Sequence, residues 1–231
     1  MADAKIQCDC PGCDFRTVVF DNLTGEEIKI VCSIKRDKTF QKGEIIVGEG
    51  EEIKEFLYLR SGLIKIFRKG ENGRDQIIHI ATPYQFVSLL SVFSEKTYNY
   101  SIAALDETSV CIIDLQVIKD LIIKNGNFGL GIMEKMSKNT DNIILTSINL
   151  GKKNLRGRIA YILLLFANEI YKSDSFDLPV SRKEIAQLID MTTENVIRIF
   201  SEFRKDGIIR INGKNIEIVK RDMLKRISDH G

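Results

Sequence analysis

The N-terminal end of the chain contains a dense group of thiols. Cys8, Cys10 and Cys13 lie within CDCPGC, whose proline and glycine favour a turn. Thiolates are soft ligands for zinc or an iron–sulfur cluster, and a turn can place several sulfurs around one centre. A fourth thiolate must come from Cys32 or Cys111. The pattern predicts a metal or cluster site. The alternatives are a disordered tail with incidental cysteines and, for Cys32 and Cys111, small buried hydrophobic side chains.

A second group of functional side chains is polar and shares one face of a predicted helix. The apolar positions of that helix recur at i, i+3, i+4 and i+7: Val196, Ile199, Phe200 and Phe203. The opposite face carries Glu194, Arg198, Ser201 and Lys205. An arginine can fork onto guanine O6 and N7, and a carboxylate can accept from cytosine N4. This face is therefore suited to reading base edges in DNA. The alternative is that Glu194 and Arg198 pair with each other across one helical turn.

The elements around this helix are typical of a winged helix-turn-helix. Ser181 and Glu184 form a capping box that begins a first helix, and Thr192 caps the second after a short interruption. Gly207 ends the second helix, and Asn212-Gly213 between apolar runs is a hairpin signal for the wing. The predicted DNA-contacting residues are Ser181, Thr192, Thr193, Glu194, Ile197, Arg198, Ser201 and Lys205.

Residues 39–115 have a different texture, with short β-rich runs separated by glycines such as Gly43, Gly50 and Gly62. Evenly spaced short strands with glycine turns are typical of an antiparallel barrel or jelly roll, which readily encloses a small-molecule pocket. We therefore expect a sensor domain here.

A long helix is predicted after the barrel, over residues 127–150. A seam with alternating spacings of four and three runs along it: Ile132, Met136, Asn139, Ile143, Thr146 and Leu150. Such a seam is typical of a coiled coil, so we expect two of these helices to form a homodimer. The alternative is that the seam packs on its own barrel. The next segment, residues 155–170, is apolar all round and is expected to be buried as the spine of a C-terminal domain.

Composition restricts the class of protein. The chain has 231 residues, of which 44% are hydrophobic and 29% charged, as in a globular protein. The apolar run Ile159–Ala167 is shorter than the roughly 20 residues that a membrane span needs, and no signal segment is present, so we expect a cytoplasmic protein without a membrane partner. Residues 151–231 contain 16 basic and 11 acidic residues, an excess suited to phosphate contacts.

Enzyme chemistry is not expected. The sequence contains neither a Ser/His/Asp set at a recognisable spacing nor a glycine-rich phosphate loop. Its two histidines are His79, in a predicted strand, and His230 near the C-terminus. His79 as a haem ligand leaves a haem- or thiol-based redox sensor as an alternative function. A cyclic-nucleotide-binding module without a DNA role is a further alternative.

Three segments resemble the CRP/FNR family of bacterial transcription regulators: FQKGEIIVGEGEEIKEFLYLRSGLIKIF, LRGRIAYILLLFA and SRKEIAQLIDMTTENVIRIFSEFRKDGII. The resemblance implies an α+β protein with an N-terminal antiparallel jelly-roll barrel, a long dimerisation helix and a C-terminal winged helix-turn-helix domain. The corresponding divisions are a Cys-rich segment (1–20), a cyclic-nucleotide-binding-like barrel (21–115), a linker and dimerisation helix (116–150) and the DNA-binding domain (151–231). It also implies a homodimer on a palindromic double-stranded operator, with RNA polymerase as a partner.

The resemblance also bears on individual residues. Family recognition helices carry Glu, three residues and then Arg, which Glu194 and Arg198 match; Asp190 replaces the usual glycine of the inter-helix turn. The cyclic-AMP-binding members hold phosphate with an arginine. This chain has Val87-Ser88 and Tyr100-Ser101 where the ligand-binding pairs would fall. A buried, unpaired phosphate would cost several kcal/mol, so cyclic AMP is not expected.

The oxygen-sensing FNR branch holds a [4Fe–4S] cluster with three N-terminal cysteines and one in a segment similar to LDETSVCIID. By this resemblance the ligands are Cys8, Cys10, Cys13 and Cys111, with Cys32 as the alternative, although the C-x-C-x2-C spacing is shorter than the FNR pattern.

Overall fold

The computed structural model describes residues 22–70, 73–87 and 91–231. The chain divides into two compact units. Within the described ranges, one comprises residues 22–68 and 80–142, and the other residues 69–79 and 143–231. No helix in these ranges combines the length and the apolar content needed to cross a bilayer.

The N-terminal half begins with helix α1 (Gly25–Ile34). Thr24 caps it through a capping box with Glu27, whose backbone N–H donates to Thr24 Oγ1 at 3.3 Å. The strands that follow are β1 (Arg36–Phe40), β2 (Ile45–Val47), β3 (Glu55–Ser61), β4 (Ile64–Arg68), β5 (Gln76–Ala81), β6 (Ser101–Ala104) and β7 (Thr108–Asp114). They form two sheets, of order β1-β7-β3 and β2-β6-β4-β5. β7 pairs antiparallel with β1 and β3, and β6 with β2 and β4, which confirms the antiparallel N-terminal domain.

The core of the first unit is built from side chains of both sheets. Phe56, Tyr58, Ile64 and Ile102 are all 0% exposed. Gly62 lies between β3 and β4 with φ +83°, and a Cβ there would lie 2.5 Å from the carbonyl oxygen of Glu107. Only glycine fits this turn, as the glycine punctuation of the sequence predicted.

Two helices follow the sheets: α2 (Leu115–Lys124), capped by Asp114, and α3 (Gly126–Gly151). The predicted long helix is thus present. Two residues of its predicted seam, however, pack in the core of the chain itself. Ile132 is 2% exposed, and both Ile132 and Met136 pack in the hydrophobic cluster of the barrel. At these two positions the seam packs on the barrel of its own chain, which was the alternative.

The C-terminal half contains α4 (Leu155–Leu165), a π-helical segment (Phe166–Ile170), β8 (Ser175–Asp177), α5 (Arg182–Leu188), α6 (Thr193–Lys205), β9 (Ile209–Asn212), β10 (Asn215–Ile218) and α7 (Arg221–His230). The short strands form a sheet of order β8-β10-β9. α4 is the predicted buried spine: Ile159, Ala160 and Leu163 are each 0% exposed. The predicted single helix over residues 155–170 instead changes to π geometry at Phe166.

Candidate nucleic-acid interface

The first helix of the candidate site, α5, begins where the sequence predicted. The Glu184 N–H donates to Ser181 Oγ at 3.2 Å, and the Ser181 N–H donates to Glu184 Oε2 at 2.9 Å. These two bonds satisfy backbone donors that a helix N-terminus otherwise leaves unpaired. Ser181, a predicted DNA-contacting residue, is therefore exposed but already engaged in the cap.

The turn between α5 and α6 depends on one residue in the left-handed region. Asp190 has φ +51°, a conformation that aspartate tolerates better than most residues. After it, the Met191 N–H donates to the carbonyl oxygen of Ala186 at 2.9 Å, and Thr192 Oγ1 accepts from the Asn195 N–H at 3.3 Å. The turn thus fixes the start of α6 relative to α5.

Helix α6 has the predicted two faces. Its buried stripe comprises Val196, Ile199, Phe200 and Phe203, none more than 2% exposed. On the opposite side Glu194, Arg198, Ser201 and Lys205 are exposed. Among them lies a large aliphatic side chain, Ile197, which is 51% exposed. One face of α6 therefore offers a carboxylate, a guanidinium, a hydroxyl, an ammonium and an apolar group to a partner.

The partner of Arg198 differs from the alternative derived from sequence. Its Nη1 donates to Glu202 Oε1 at 2.5 Å, one turn towards the C-terminus, and its Nη2 donates to Asn195 Oδ1 at 3.5 Å. Glu194 lies at the N-terminus of α6. A hydrogen bond from its own backbone N–H, followed by one from Thr192, lowers the pKa of its carboxyl group. Glu194 is therefore ionised at neutral pH, which is the form that accepts hydrogen bonds.

Sequence reasoning did not find the contribution of α4. Arg156 on α4 donates through Nη1 to Glu202 Oε2 and through Nη2 to Asp206 Oδ2, the latter at 3.2 Å. Its guanidinium also lies 5.0 Å from the ring centroid of Phe203. Because Arg156 and Glu202 are 46 positions apart, no local spacing in the sequence indicates this contact.

The wing is an antiparallel hairpin of β9 and β10. Asn212 pairs with Asn215, so the two-residue turn is Gly213-Lys214, one position later than Asn212-Gly213, and Gly213 has φ +61°. Arg210 Nη1 on β9 donates to Glu217 Oε2 on β10 at 3.0 Å. The wing follows α6 directly, so helix-turn-helix and wing form one continuous stretch of chain.

Comparisons with known proteins agree with this architecture. Residues 37–125 match the family described as Cyclic nucleotide-binding domain, and residues 157–227 match the Crp-like helix-turn-helix domain. Similar curated proteins include the transcriptional activator protein anr of Pseudomonas aeruginosa, 29% identical over 92% of this chain and 89% of that protein. The fumarate and nitrate reduction regulatory protein of Escherichia coli is 29% identical over 85% of this chain and 80% of its own length. FixK2 from Bradyrhizobium japonicum has a similar fold, with a TM-score of 0.76 at 20% identity, over 84% of this chain and 97% of that chain.

The chain belongs to the CRP/FNR family of transcription regulators. In a CRP/FNR-type regulator the helix-turn-helix is the DNA-binding element, and in this chain α5 and α6 form it.

Of the five cysteines predicted as candidate ligands of this CRP/FNR regulator, two lie among the described residues. Cys8, Cys10 and Cys13 lie outside the described residues. Cys111 is in β7, 0% exposed and part of the hydrophobic core, and Cys32 is half-buried on α1. Within the described ranges, no three His, Cys, Asp or Glu side chains are grouped as metal ligands would be.

The neighbours of Cys111 across the sheet include one charged and one polar side chain. Cys111 pairs with Asp37 on β1 and Tyr58 on β3, so the three side chains share one face of the sheet. Asp37 Oδ2 accepts from Arg60 Nη1 at 2.9 Å and lies 4.0 Å from Lys35 Nζ, whose side chain is 4% exposed. The thiol itself packs in the hydrophobic core, as a small buried hydrophobic side chain does.

Three described residues at the positions that match the cyclic-AMP-binding pairs, Val87, Tyr100 and Ser101, are buried and uncharged. Val87 is 1% and Tyr100 4% exposed, and Ser101 Oγ accepts from the Glu49 N–H at 3.0 Å. Ser88 lies outside the described residues. His79, the candidate haem ligand, is half-buried in β5.

Proposed function

We propose that this regulator is a homodimer that binds an inverted-repeat operator, with Arg198 and Glu194 of α6 reading a G·C pair in each half-site. The observation that carries the proposal is that both side chains are exposed on the face of α6 opposite its buried stripe. In the major groove, the N-terminal part of a recognition helix contacts base edges. Arg198 supplies a fork for guanine O6 and N7, and Glu194 an acceptor for cytosine N4.

Other residues of the interface have supporting roles. Thr192 and Thr193 lie at the N-terminus of α6, where backbone N–H groups favour phosphate. Ser201 Oγ donates to the Ile197 carbonyl at 3.0 Å and can still accept. Lys205, in the last turn, is suited to a phosphate because an ammonium acts as a point charge.

Selection from random duplexes tests the proposal. The full-length chain, purified without oxygen, should recover an inverted repeat whose half-sites lie about one helical turn apart and contain a G·C pair. Recovery of a single, unrepeated site, or of no common sequence, would contradict it.

The homodimer that we propose uses a different face of α3 from the seam predicted above. Of that seam, Leu150 is 9% exposed and Asn139, Ile143 and Thr146 are half-buried in the chain itself. The exposed large apolar residues of α3 are Leu130, Met133, Ile144, Leu145 and Ile148, between 45% and 64% exposed. Leu130, Ile144 and Ile148 fall within about 40° of one another at 100° per residue. An apolar stripe that the chain leaves exposed supports a helix-to-helix contact with a second copy.

For the signal, we propose that Cys8, Cys10, Cys13 and Cys111 hold an iron–sulfur cluster, with zinc as the alternative. The support is the dense N-terminal thiol group together with the thiol of Cys111 in β7. A bound cluster would supply a response to oxygen or to redox change, while Cys111 links it to β7 of the barrel.

Replacing single cysteines tests the ligand assignment. Cys111→Ala should abolish the visible absorbance and the iron of protein purified without oxygen, because a cluster that loses one thiolate is destabilised. Cys32→Ala, the variant of the alternative ligand, should retain both. Equal iron and zinc in Cys111→Ala and the unaltered chain would exclude Cys111. Loss in Cys32→Ala alone would transfer the role to Cys32.

The residues of the barrel also indicate that the effector is not a cyclic nucleotide. With Tyr100 buried and no arginine at the matching positions, a cyclic nucleotide in the family's usual mode would leave its phosphate uncompensated. RNA polymerase is the protein partner that transcription regulation implies.

A further inference from the structure

The base-reading arginine proposed above is one end of a chain of charged contacts that begins on another helix. Glu202 accepts from Arg198 with one carboxylate oxygen and from Arg156 of α4 with the other. The side chains are partly solvated: 37% of Arg156, 32% of Glu202 and 57% of Arg198 is exposed. All three residues belong to one compact unit.

Arg156 is the better anchored of the two arginines. Its second nitrogen donates to Asp206 at 3.2 Å, and its guanidinium lies over Phe203, which is 0% exposed. Arg198, in contrast, donates to residues of its own helix, at 2.5 Å to Glu202 and at a longer 3.5 Å to Asn195. If Arg198 moves away from Glu202, the pair between Glu202 and Arg156 therefore remains.

The difference in anchoring between Arg156 and Arg198 affects what happens to Glu202 when DNA binds. To fork onto guanine, Arg198 must give up Glu202, and the carboxylate then lies beside a phosphate backbone. With Arg156 in place, Glu202 keeps a charged donor and the exchange leaves no unpaired anion. Without Arg156, the exchange leaves Glu202 with neither of the two arginines that donate to it, which is unfavourable.

We infer that Arg156 is a positioning residue for base readout: through Glu202 it releases Arg198 to guanine, so the charge on α4 sets the sequence preference of α6. The inference rests on the proposed role of Arg198. It predicts that loss of Arg156 weakens guanine recognition rather than DNA binding in general.

Two duplexes test it: the palindrome that the unaltered chain recovers by selection, and the same palindrome with the guanine read by Arg198 changed to adenine in both half-sites. Arg156→Gln should weaken binding to the first about tenfold, the size of one lost charge-assisted hydrogen bond, and to the second by clearly less. The ratio of affinities for the first duplex over the second should therefore fall. Arg156→Lys, which keeps the charge, should restore part of it.

The second variant is Glu202→Gln, which removes the anion that Arg156 neutralises. Glu202→Gln should bind the guanine duplex at least as tightly as the unaltered chain, and adding Glu202→Gln to Arg156→Gln should restore the lost preference. A merely structural role of Arg156 would not be rescued in this way. Arg210→Gln is the matched control, since it breaks another Arg–Glu pair on the wing and should change both duplexes by the same factor.

Equal weakening of both duplexes by Arg156→Gln, or no rescue by Glu202→Gln, would overturn the inference. So would weaker guanine binding by Glu202→Gln alone, which covers the case in which Arg156→Gln does not fold. A failure of the proposed base-reading role of Arg198 can be told apart from a failure of the inference about Arg156. If Arg198 does not read the base, Arg198→Gln leaves the preference between the two duplexes unchanged.

Discussion

Among the polar side chains on the exposed face of α6, Ile197 is the residue whose chemistry differs. It is 51% exposed, three positions after Glu194 and directly before Arg198. Exposed single isoleucines are common and need no explanation elsewhere. On a helix face proposed to enter the major groove, however, an apolar side chain is suited to the C5-methyl group of thymine.

Replacing thymine by deoxyuridine tests this role of Ile197, because it removes the methyl group alone. At one thymine of each half-site the exchange should weaken binding of the unaltered chain severalfold, in line with about 0.8 kcal/mol for a buried methyl-sized group. In Ile197→Ala the same exchange should have little effect. Equal sensitivity of both proteins at every thymine, measured by titration, would show that Ile197 does not contact a methyl group.

At the residue scale, sequence reasoning identified residue types and faces but not partners. The caps by Ser181 and Thr192 were predictable because a cap depends on residues three positions apart. The pairing of Arg198 was not, since Glu194 and Glu202 are both one turn away and only the fold brings Arg156 to Glu202.

The elements show the same division between local and long-range information. Helix α3 was predictable in length, but it is apolar on two faces, and the sequence does not say which one the barrel covers. Ile132 and Met136 pack against the core of the chain itself, whereas Ile144 and Ile148 are exposed. The turn at Gly213-Lys214 was predictable to within one position for the same local reason.

The exposed stripe of α3 leads to a prediction about assembly. Ile148→Lys should convert the dimer to monomers at micromolar concentration, because two apposed lysines would be buried without partners. Ile123→Lys is the matched control, since Ile123 is 81% exposed on α2 and lies outside the stripe. Sedimentation of the two variants decides the question: if both remain dimeric, or neither does, the stripe is not the interface.

The turn of the helix-turn-helix makes a prediction about stability. Because Asp190 has φ +51°, Asp190→Gly should leave the free energy of unfolding unchanged or slightly raised, whereas a β-branched Asp190→Val should lower it by about 1–2 kcal/mol. Urea unfolding followed by circular dichroism measures both. Equal stability of the two variants would mean that the turn can relax away from the left-handed conformation.

In the whole molecule, basic and acidic residues are unevenly divided along the chain. Residues 151–231 contain 16 basic and 11 acidic residues, whereas the remainder has 18 and 21, so the excess of positive charge lies in the DNA-binding half. The order of barrel, long helix and helix-turn-helix was predictable because each has its own periodicity. The N-terminal thiols could be linked to Cys111 only by resemblance, since residues about 100 positions apart share no local pattern.

The central claim is that Arg198 reads a base, and selection from random duplexes by paired variants tests it most directly. Arg198→Ala should lose about 1–3 kcal/mol per half-site and recover a palindrome with relaxed preference at one base pair. Lys205→Ala should recover the unaltered palindrome while weakening all sequences alike, with a salt slope lower by about one. If Arg198→Ala recovers the same palindrome with unchanged preference at every position, Arg198 does not read a base and the proposed placement of α6 is wrong.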